Sequence, residues 1–269
     1  MAAVEHIVGT ISTLSYAPVK GMRLVQPESV EIGPNGIDGD RRFQVCEAGT
    51  LRNRAARDSR LGRIEAGWDP ASQELSLTFP SGRVAAGRVQ TGERMSVVRA
   101  WDDASMPARA VIGPWSEALS EELGEDLILV RSEIRQGAND VAPLTFLTEG
   151  SIERLAEELS VERIDGERFR MTMVVSGPSA HEEDDWYGRE LEVGEARIRI
   201  LGPVPRCVVT TRKPGSGERD LDVLRALVGY RGKIWSPYED EDSDAPFGVY
   251  AETVTPGRAG VGDEIRLLP

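Results

Sequence analysis

Cysteine and histidine are scarce in this chain, and their scarcity narrows the chemistry that its sites can support. The sequence of 269 residues contains two cysteines, Cys46 and Cys207, and two histidines, His6 and His181. Two cysteines without a Cys-x-x-Cys pair argue against a disulfide framework and favour a reducing compartment. So few histidines nearly exclude a His-rich zinc site and argue against a Cys–His nucleophile pair.

Long apolar runs and excess positive charge are also absent. No segment approaches the roughly 20 apolar residues that a membrane-spanning helix requires. The first ten residues lack the basic and apolar regions of a signal peptide, so we expect a cytoplasmic protein with no membrane partner. The net charge of −13 argues against nucleic-acid binding.

Short segments with alternating apolar residues recur along the chain and are separated by Gly and Pro turns. This pattern predicts a mainly β fold with a few helices (α+β), arranged as barrels or a sandwich. We expect a boundary near residues 132–139, which gives two domains at 1–135 and 136–269. Helices are predicted at 115–123, at 152–159 and from Asp220 or Leu221 to Gly229. The predicted strands cover residues 4–14, 29–32, 42–46, 75–79, 95–101, 171–175, 196–201, 249–254 and 264–268.

Cys207 lies in an apolar run, residues 201–211, that Pro203 and Pro205 interrupt. Because proline lacks an N–H and fixes φ, the prolines argue against a central strand and favour a bend that holds Cys207 at the rim of a sheet. Arg206 favours the thiolate, which both nucleophilic sulfur chemistry and soft-metal ligation require. On this segment alone, a packed and unreactive cysteine is the more common alternative.

Basic residues cluster although the chain is acidic. Residues 41–63 contain seven arginines against two acidic residues, and alternation predicts that Arg168 and Arg170 share one face of a strand. Such clusters suit a small anionic ligand. Together with Cys207, they suggest a phosphorylated cofactor that carries sulfur or a soft metal. Pyridoxal phosphate stays open as another phosphorylated cofactor, and neither a Walker A motif nor a GxGxxG motif is present.

Several weak motifs follow one another in a specific order. They are Pro-Val-Lys20, Asp40-Arg41-Arg42-Phe43, Asp140…Pro143-Leu144, Glu167-Arg168-Phe169-Arg170, Glu183-Asp184-Asp185-Trp186, Arg206-Cys207…Thr210-Thr211, Pro214-Gly-Ser-Gly217, Phe247-Gly-Val-Tyr250 and Gly260-Val-Gly-Asp263. This order resembles the MOSC (molybdenum-cofactor sulfurase C-terminal) family with its N-terminal companion domain. The resemblance covers residues 4–265.

The resemblance implies a MOSC-type β-barrel with an N-terminal β-barrel-like domain, and a bound molybdenum cofactor. It is greatest to the amidoxime-reducing proteins, which reduce N-hydroxylated small molecules. It makes Cys207 the molybdenum ligand and a catalytic residue, and Asp140 the candidate acid for the leaving oxygen. The residues it assigns to cofactor binding are Lys20, Gly21, Arg41 (Arg42 by a one-residue slip), Arg168, Arg170, Thr172 and Arg206.

Three positions depart from the family pattern. Gly21 stands where the family commonly has serine, Thr172 where it has asparagine, and Pro205 where it has serine. The chain has no four-cysteine iron–sulfur module, so we expect electrons to come from a separate donor protein. Two alternatives stay open: a sulfur carrier or transferase with Cys207 as a persulfide, and a non-catalytic protein that binds a cofactor or small anion.

Overall fold

The computed structural model describes residues 6–55, 58–99, 104–134, 137–139, 141–237 and 240–269. The N-terminal strands are β1 (His6–Leu14), β2 (Ser29–Gly33), β3 (Gly36–Ile37), β4 (Phe43–Glu47), β5 (Glu65–Asp69), β6 (Glu74–Thr78), β7 (Val84–Arg88), β8 (Gln90–Val98), β9 (Ser105–Ile112) and β10 (Leu127–Ser132). The later strands are β11 (Leu144–Thr148), β12 (Met173–Ser176), β13 (Glu190–Val193), β14 (Ala196–Pro205), β15 (Lys233–Ser236), β16 (Glu241–Asp244), β17 (Pro246–Thr255), β18 (Gly257–Gly260) and β19 (Glu264–Leu267). The α-helices are α1 (Trp115–Leu123), α2 (Glu149–Glu158) and α3 (Val223–Tyr230). Short 3₁₀ helices cover Ser59–Arg63, Gly166–Phe169, Glu182–Trp186 and Val208–Thr211.

Seven strands close into a barrel in the order β1-β12-β11-β17-β14-β13-β19. The β11–β12 pair is parallel, and the other pairs are antiparallel. Apolar side chains from alternate positions fill the barrel, among them Phe146, Ile198 and Ile265, which are fully buried. The predicted fold class, mainly β with a few helices, is confirmed.

A second core lies in the N-terminal half. It is enclosed by the four-stranded sheet β4-β10-β9-β8, the three-stranded sheet β5-β6-β7 and helix α1. Trp115 and Leu119 of α1 are buried in it, as their i, i+4 spacing predicts. The helix ends at Gly124, whose φ of 68° is the left-handed conformation that glycine adopts without strain.

The chain crosses between the two halves more than once. Strand β1 pairs with β12 and β19 in the barrel, and β2 pairs with β18. The division into domains at 1–135 and 136–269 stays a prediction. Strands from both sides of residue 135 share sheets, so the two parts are joined by backbone hydrogen bonds. None of the helices in the described ranges has the length and hydrophobicity needed to cross a membrane.

The structure agrees that Pro203 and Pro205 do not lie in a central strand, but the strand predicted to cover 196–201 continues through both prolines to residue 205. Both prolines belong to β14, which pairs with β17 through Pro203–Val249 and Pro205–Pro246, with irregular register between them. Pairing of β14 with β13 ends at Arg199, so among the described residues this stretch of β14 pairs with β17 alone. A strand that pairs on one side tolerates proline, because a missing N–H on the unpaired side removes no ladder hydrogen bond.

The predicted strand around Arg168 and Arg170 is also wrong. Residues Gly166–Phe169 form a 3₁₀ turn, and Asp165 accepts a hydrogen bond from the Glu167 N–H at 3.0 Å. Arg170 follows with a φ of 54°, which ends the turn. A local side-chain cap therefore outweighs the alternating pattern, and the two arginines are not neighbours on one strand face.

Candidate functional site

A cavity of about 260 Å³ lies between the N-terminal half and the barrel, and Cys207 lines it. Its walls combine residues 20–62 with residues 139–250, so only the folded chain brings them together. Among the described lining residues, eight are basic and two, Asp58 and Glu167, are acidic. The cavity is therefore positively charged within a protein of net charge −13. The basic lining residues are Lys20, Arg23, Arg41, Arg168, Arg170, Arg206, Arg212 and Lys213.

Cys207 presents an exposed, free thiol at this cavity. Strand β14 ends two residues earlier, and Cys207 caps the 3₁₀ helix Val208–Thr211 in an extended conformation. Its carbonyl accepts hydrogen bonds from the Thr210 N–H at 3.1 Å and the Thr210 hydroxyl at 2.9 Å. Cys46, by contrast, is buried in the small apolar cluster around Val130, and burial raises the pKa of its thiol to about 12.

Arg206 braces the segment that carries Cys207. Its Nε donates to the Phe247 carbonyl at 2.8 Å, and its Nη1 donates to the Phe169 carbonyl at 3.0 Å. Burial lowers the pKa of Arg206 to about 10, which leaves the guanidinium charged at neutral pH. Its donors thus serve backbone carbonyls, while its positive charge lies beside the Cys207 thiol.

Arg168 braces the same segment from the other side. Its Nη1 donates to the Thr210 carbonyl at 3.0 Å, and its guanidinium forms an ion pair with Asp220 at 3.0 Å. The side chain is buried, and its Nε has no hydrogen-bond partner among the described residues. One donor of Arg168 is therefore used by no described residue, and the atom itself is buried.

Lys20 and Gly21 lie where the chain passes from the barrel to the N-terminal sheets. The Lys20 N–H donates to the Phe43 carbonyl at 2.8 Å, and the residue is mostly buried. Gly21 has a φ of 89°, and a Cβ there would lie 2.9 Å from the Cβ of Ala55. Because of this close approach, glycine is required at position 21 for a structural reason that is independent of any ligand.

The structure distinguishes Arg41 from Arg42. Arg41 lines the cavity, forms an ion pair with Asp40, and directs its Nη2 to the Arg170 carbonyl at 3.3 Å. Arg42 does not line the cavity, and its charge instead lies near Arg131, where it lowers the pKa of that residue after the larger effect of burial. The geometry places Arg41 at the site.

Arg170 and Thr172 have different surroundings although they are two residues apart. Arg170 lines the cavity and donates to the Met22 carbonyl at 2.8 Å, and burial lowers its pKa to about 10. Thr172 does not line the cavity. Its hydroxyl donates to the Thr145 carbonyl at 2.6 Å and accepts from the Thr145 N–H at 2.7 Å, which joins β11 to the start of β12.

Asp140 lies outside the described residues, although its neighbours Asn139 and Val141 line the cavity. Sequence reasoning missed Arg212 and Lys213, which lie five and six residues after Cys207 and line the same cavity. An adjacent basic pair that precedes a Pro-Gly turn was the signal that could have found them. Arg23 and Glu167 were also missed as lining residues.

Comparison with known proteins identifies a domain and several relatives of this chain. Residues 134–266 match the sequence profile of the MOSC domain. Mitochondrial amidoxime-reducing component 1 of Xenopus laevis is 28% identical over 294 residues, which cover 96% of this chain and 82% of that protein. The Mus musculus protein of the same name is 31% identical over 141 residues, 51% of this chain and 40% of that protein.

More distant relatives include the molybdenum cofactor sulfurase of Caenorhabditis briggsae, 23% identical over 86% of this chain and 33% of that protein. The matches to the mammalian amidoxime-reducing components and to the sulfurase therefore span less than half of those proteins' length. The solved structure of the YUAD protein from Bacillus subtilis has a TM-score of 0.44 and 12% identity, over 98% of this chain and 97% of that one. The profile match shows that this chain contains a MOSC domain at residues 134–266.

Proposed function

We propose that this protein binds the molybdenum cofactor and reduces N-hydroxylated small molecules, with electrons from a separate donor protein. The observation that carries the proposal is the exposed thiol of Cys207 in a cavity whose walls are mostly basic. The names of the relatives, amidoxime-reducing component and molybdenum cofactor sulfurase, support the same chemistry.

The residues of the cavity fit such a group. A thiolate is a soft ligand that suits molybdenum, and guanidinium groups suit the phosphate and the anionic sulfur ligands of the cofactor. Arg168 Nε is a buried donor without a partner among the described residues, as expected where a ligand acceptor completes the hydrogen bonding.

Within this proposal, Cys207 ligates the metal, and Lys20, Arg41 and Arg170 hold the anionic cofactor from the opposite wall. Arg168 and Arg206 hold the Cys207 segment in place through the carbonyls that they bind. The cofactor, when bound, supplies the two-electron redox chemistry. Reduction of an N–OH group consumes two electrons and two protons, breaks the N–O bond, and yields the N–H product and water. Asp140 stays the candidate proton donor.

Metal analysis of the purified protein tests this proposal. Protein expressed with ample molybdate should contain close to one molybdenum per chain with pterin fluorescence, and Cys207→Ala should lose most of the metal. Cys46→Ala is the matched control, because Cys46 lies away from the cavity and should leave the metal content unchanged. Absence of molybdenum from the wild-type protein would sink the proposal.

The exposed thiol also favours a second candidate, a sulfur carrier in which Cys207 holds a persulfide and transfers its terminal sulfur to an acceptor. Cyanide-labile sulfur on Cys207 in protein without molybdenum would support this function. Binding of the pterin without turnover of any hydroxylamine or amidoxime would instead indicate the non-catalytic binding protein.

A further inference from the structure

A groove of about 850 Å³ opens beside the cavity that holds Cys207. Helix α2 and residues 161–167 form one side, and the end of β1 forms the other. Three apolar residues of its floor, Ala156, Ile164 and Met171, are buried and present little surface to a ligand. Ile152 and Val174 add partly buried apolar surface to the same floor. The groove thus offers hydrophobic contact to a ligand longer than the cavity alone accommodates.

Carboxylates surround this floor. Among the described lining residues, Arg163 is the single basic one. Glu157 is paired with Arg154 at 2.9 Å, and Asp165 caps the 3₁₀ turn, whereas Glu153 and Glu162 are exposed on the rim. A concave apolar surface with this rim complements an apolar group that carries positive charge. The acidic lining residues are Glu149, Glu153, Glu157, Glu162, Asp165 and Glu167.

The groove and the cavity adjoin each other. Leu24 and Glu167 line both of them. Glu167 is half-buried at this junction, and burial, followed by the nearby charge of Asp165, raises the pKa of its carboxyl. The charged lining residues are therefore mostly basic in the cavity with Cys207 and mostly acidic in the groove. This difference favours a ligand whose two ends differ in charge.

We propose that the groove binds an apolar, cationic extension of the substrate, whose N-hydroxylated end lies in the cavity with Cys207. This inference rests on the proposed function and adds a substrate class to it: amphipathic organic cations that carry an N–OH group. The groove lies within the roughly 300–1,000 Å³ typical of small-molecule sites. Its position next to the cavity favours a substrate over a docked protein segment, because one small molecule bound in both would extend from the groove to Cys207.

Two ligands that differ only in charge test the assignment. One is a benzamide with a para butyl chain that ends in trimethylammonium, and its partner ends in the isosteric, neutral tert-butyl group. Neither has an N–O bond, so their binding is independent of any reduction. Binding is measured at low and high salt by calorimetry, for the wild type and for the double variant Glu153→Gln, Glu162→Gln. The matched control is Glu31→Gln, Glu93→Gln, which removes the same charge from exposed strand positions outside the groove.

The groove variant should weaken binding of the charged benzamide about tenfold and leave the neutral one within about twofold. High salt should remove most of this difference, and the control variant should bind both like the wild type. Equal effects on both ligands, or equal effects of the two variants, would overturn the inference. A basic amphipathic peptide that binds the groove while the two benzamides show no difference would also overturn it, and would make the groove a protein-docking surface.

The result is separable from the proposed function. If the wild type contains no molybdenum and reduces nothing, the binding difference between the two benzamides still stands or falls by itself. If reduction is observed but the binding difference is absent, the reductase proposal holds and the substrate class is wrong.

Discussion

At the scale of single residues, the two cysteines differ in their exposure and in their surroundings. Cys207 is exposed at a basic cavity, whereas Cys46 is fully buried among Val97, Ala108 and Val130. Burial keeps Cys46 as a neutral thiol, because the charged form is poorly solvated there and the charge of Lys20 offsets only part of the rise in its pKa. The same residue type therefore packs at one position and is available for chemistry at the other.

This difference predicts that one thiol reacts in the native protein. Iodoacetamide should alkylate Cys207 at least ~100-fold faster than Cys46, since Cys46 reacts only after local or global unfolding. Mass spectrometry of peptides after a brief exposure reports both sites, and denatured protein provides the control in which both react. Comparable labelling of the two cysteines in native protein would contradict the structure.

Arg168 shows how a residue predicted from a motif acquires a different role in the fold. Its guanidinium lies between Asp220 and the Thr210 carbonyl, and so ties down the segment after Cys207. Asp220→Asn should lower the free energy of unfolding by about 1–2 kcal/mol, because a charge-assisted bond becomes a neutral one. It should also change the rate at which Cys207 is alkylated.

Asp222→Asn is the control for this substitution, since Asp222 is nearby, exposed and makes no side-chain cap bond. Chemical denaturation measures stability, and the alkylation rate across pH reports the position and surroundings of the thiol. If both variants shift the alkylation rate equally, Arg168 does not position Cys207.

At the scale of secondary-structure elements, the start of α2 is joined to the turn Glu182–Trp186 through a buried carboxylate. Thr148 caps the helix, and the hydroxyls of Thr148 and Ser151 donate to Glu183 at 2.9 and 2.8 Å. Burial, together with the charge of Asp184, raises the pKa of Glu183 to about 7 against the opposing effect of these hydrogen bonds. Glu183 therefore holds a proton in the native protein at a pH where the unfolded chain has lost it.

This shift predicts that stability falls as the pH rises. Between the ordinary pKa of 4.5 and the native value of about 7, the native state binds the proton and the unfolded state does not. The wild type should lose about 3 kcal/mol relative to Glu183→Gln across this window, and the difference should then level off. Urea denaturation at several pH values measures it.

His181 contributes in the opposite direction, because burial lowers its pKa to about 4 and its stabilising effect is lost as the pH falls below 6.5. The wild type and Glu183→Gln both retain His181, so its effect on stability cancels when the two are compared. Parallel stability curves for the wild type and Glu183→Gln would show that the pKa of Glu183 is not raised.

At the scale of the whole molecule, the cavity exists because two halves with separate cores meet. The turn Ser59–Arg63 of the N-terminal half packs against the loop that follows Cys207. Gly217 of that loop approaches so closely that a Cβ would lie 2.7 Å from the Ser59 carbonyl oxygen. The halves thus contact each other directly at the edge of the site.

Two glycines in this loop allow the effect of the contact with Ser59 to be distinguished from the effect of backbone conformation. Gly217 and Gly215 have φ values of 74° and 77°, but a Cβ at Gly215 would have no neighbour within 4 Å. Gly215→Ala should lower the free energy of unfolding by roughly 1 kcal/mol, because alanine is strained in the left-handed conformation. Gly217→Ala should lower it by about 1–3 kcal/mol more, because its Cβ would also push the two halves apart. Thermal unfolding and molybdenum content measure the two effects, and equal losses would mean that the Ser59 contact is unimportant.

Much of the local structure follows from the sequence, as particular elements show. The Trp115, Leu119 spacing and Gly124 predict α1 with its end, and alternation predicts β6 within one residue. Prediction failed where tertiary contacts overrode local preference: β14 continues through Pro203 and Pro205 because one side of it has no partner strand there. Arg168 and Arg170 were placed on a strand because the Asp165 cap was not recognised.

What the sequence determined by itself is the fold class and the ordered motifs that select Cys207 as a candidate ligand, because periodicity, composition and motif order are local or linear properties. The tertiary structure alone decided which basic residues surround Cys207. It brought Arg41 rather than Arg42 to the cavity, engaged Arg168 and Arg206 with backbone carbonyls, and added Arg212 and Lys213. The direction of a side chain depends on φ, on capping and on contacts between segments far apart in the chain, and linear order does not contain that information.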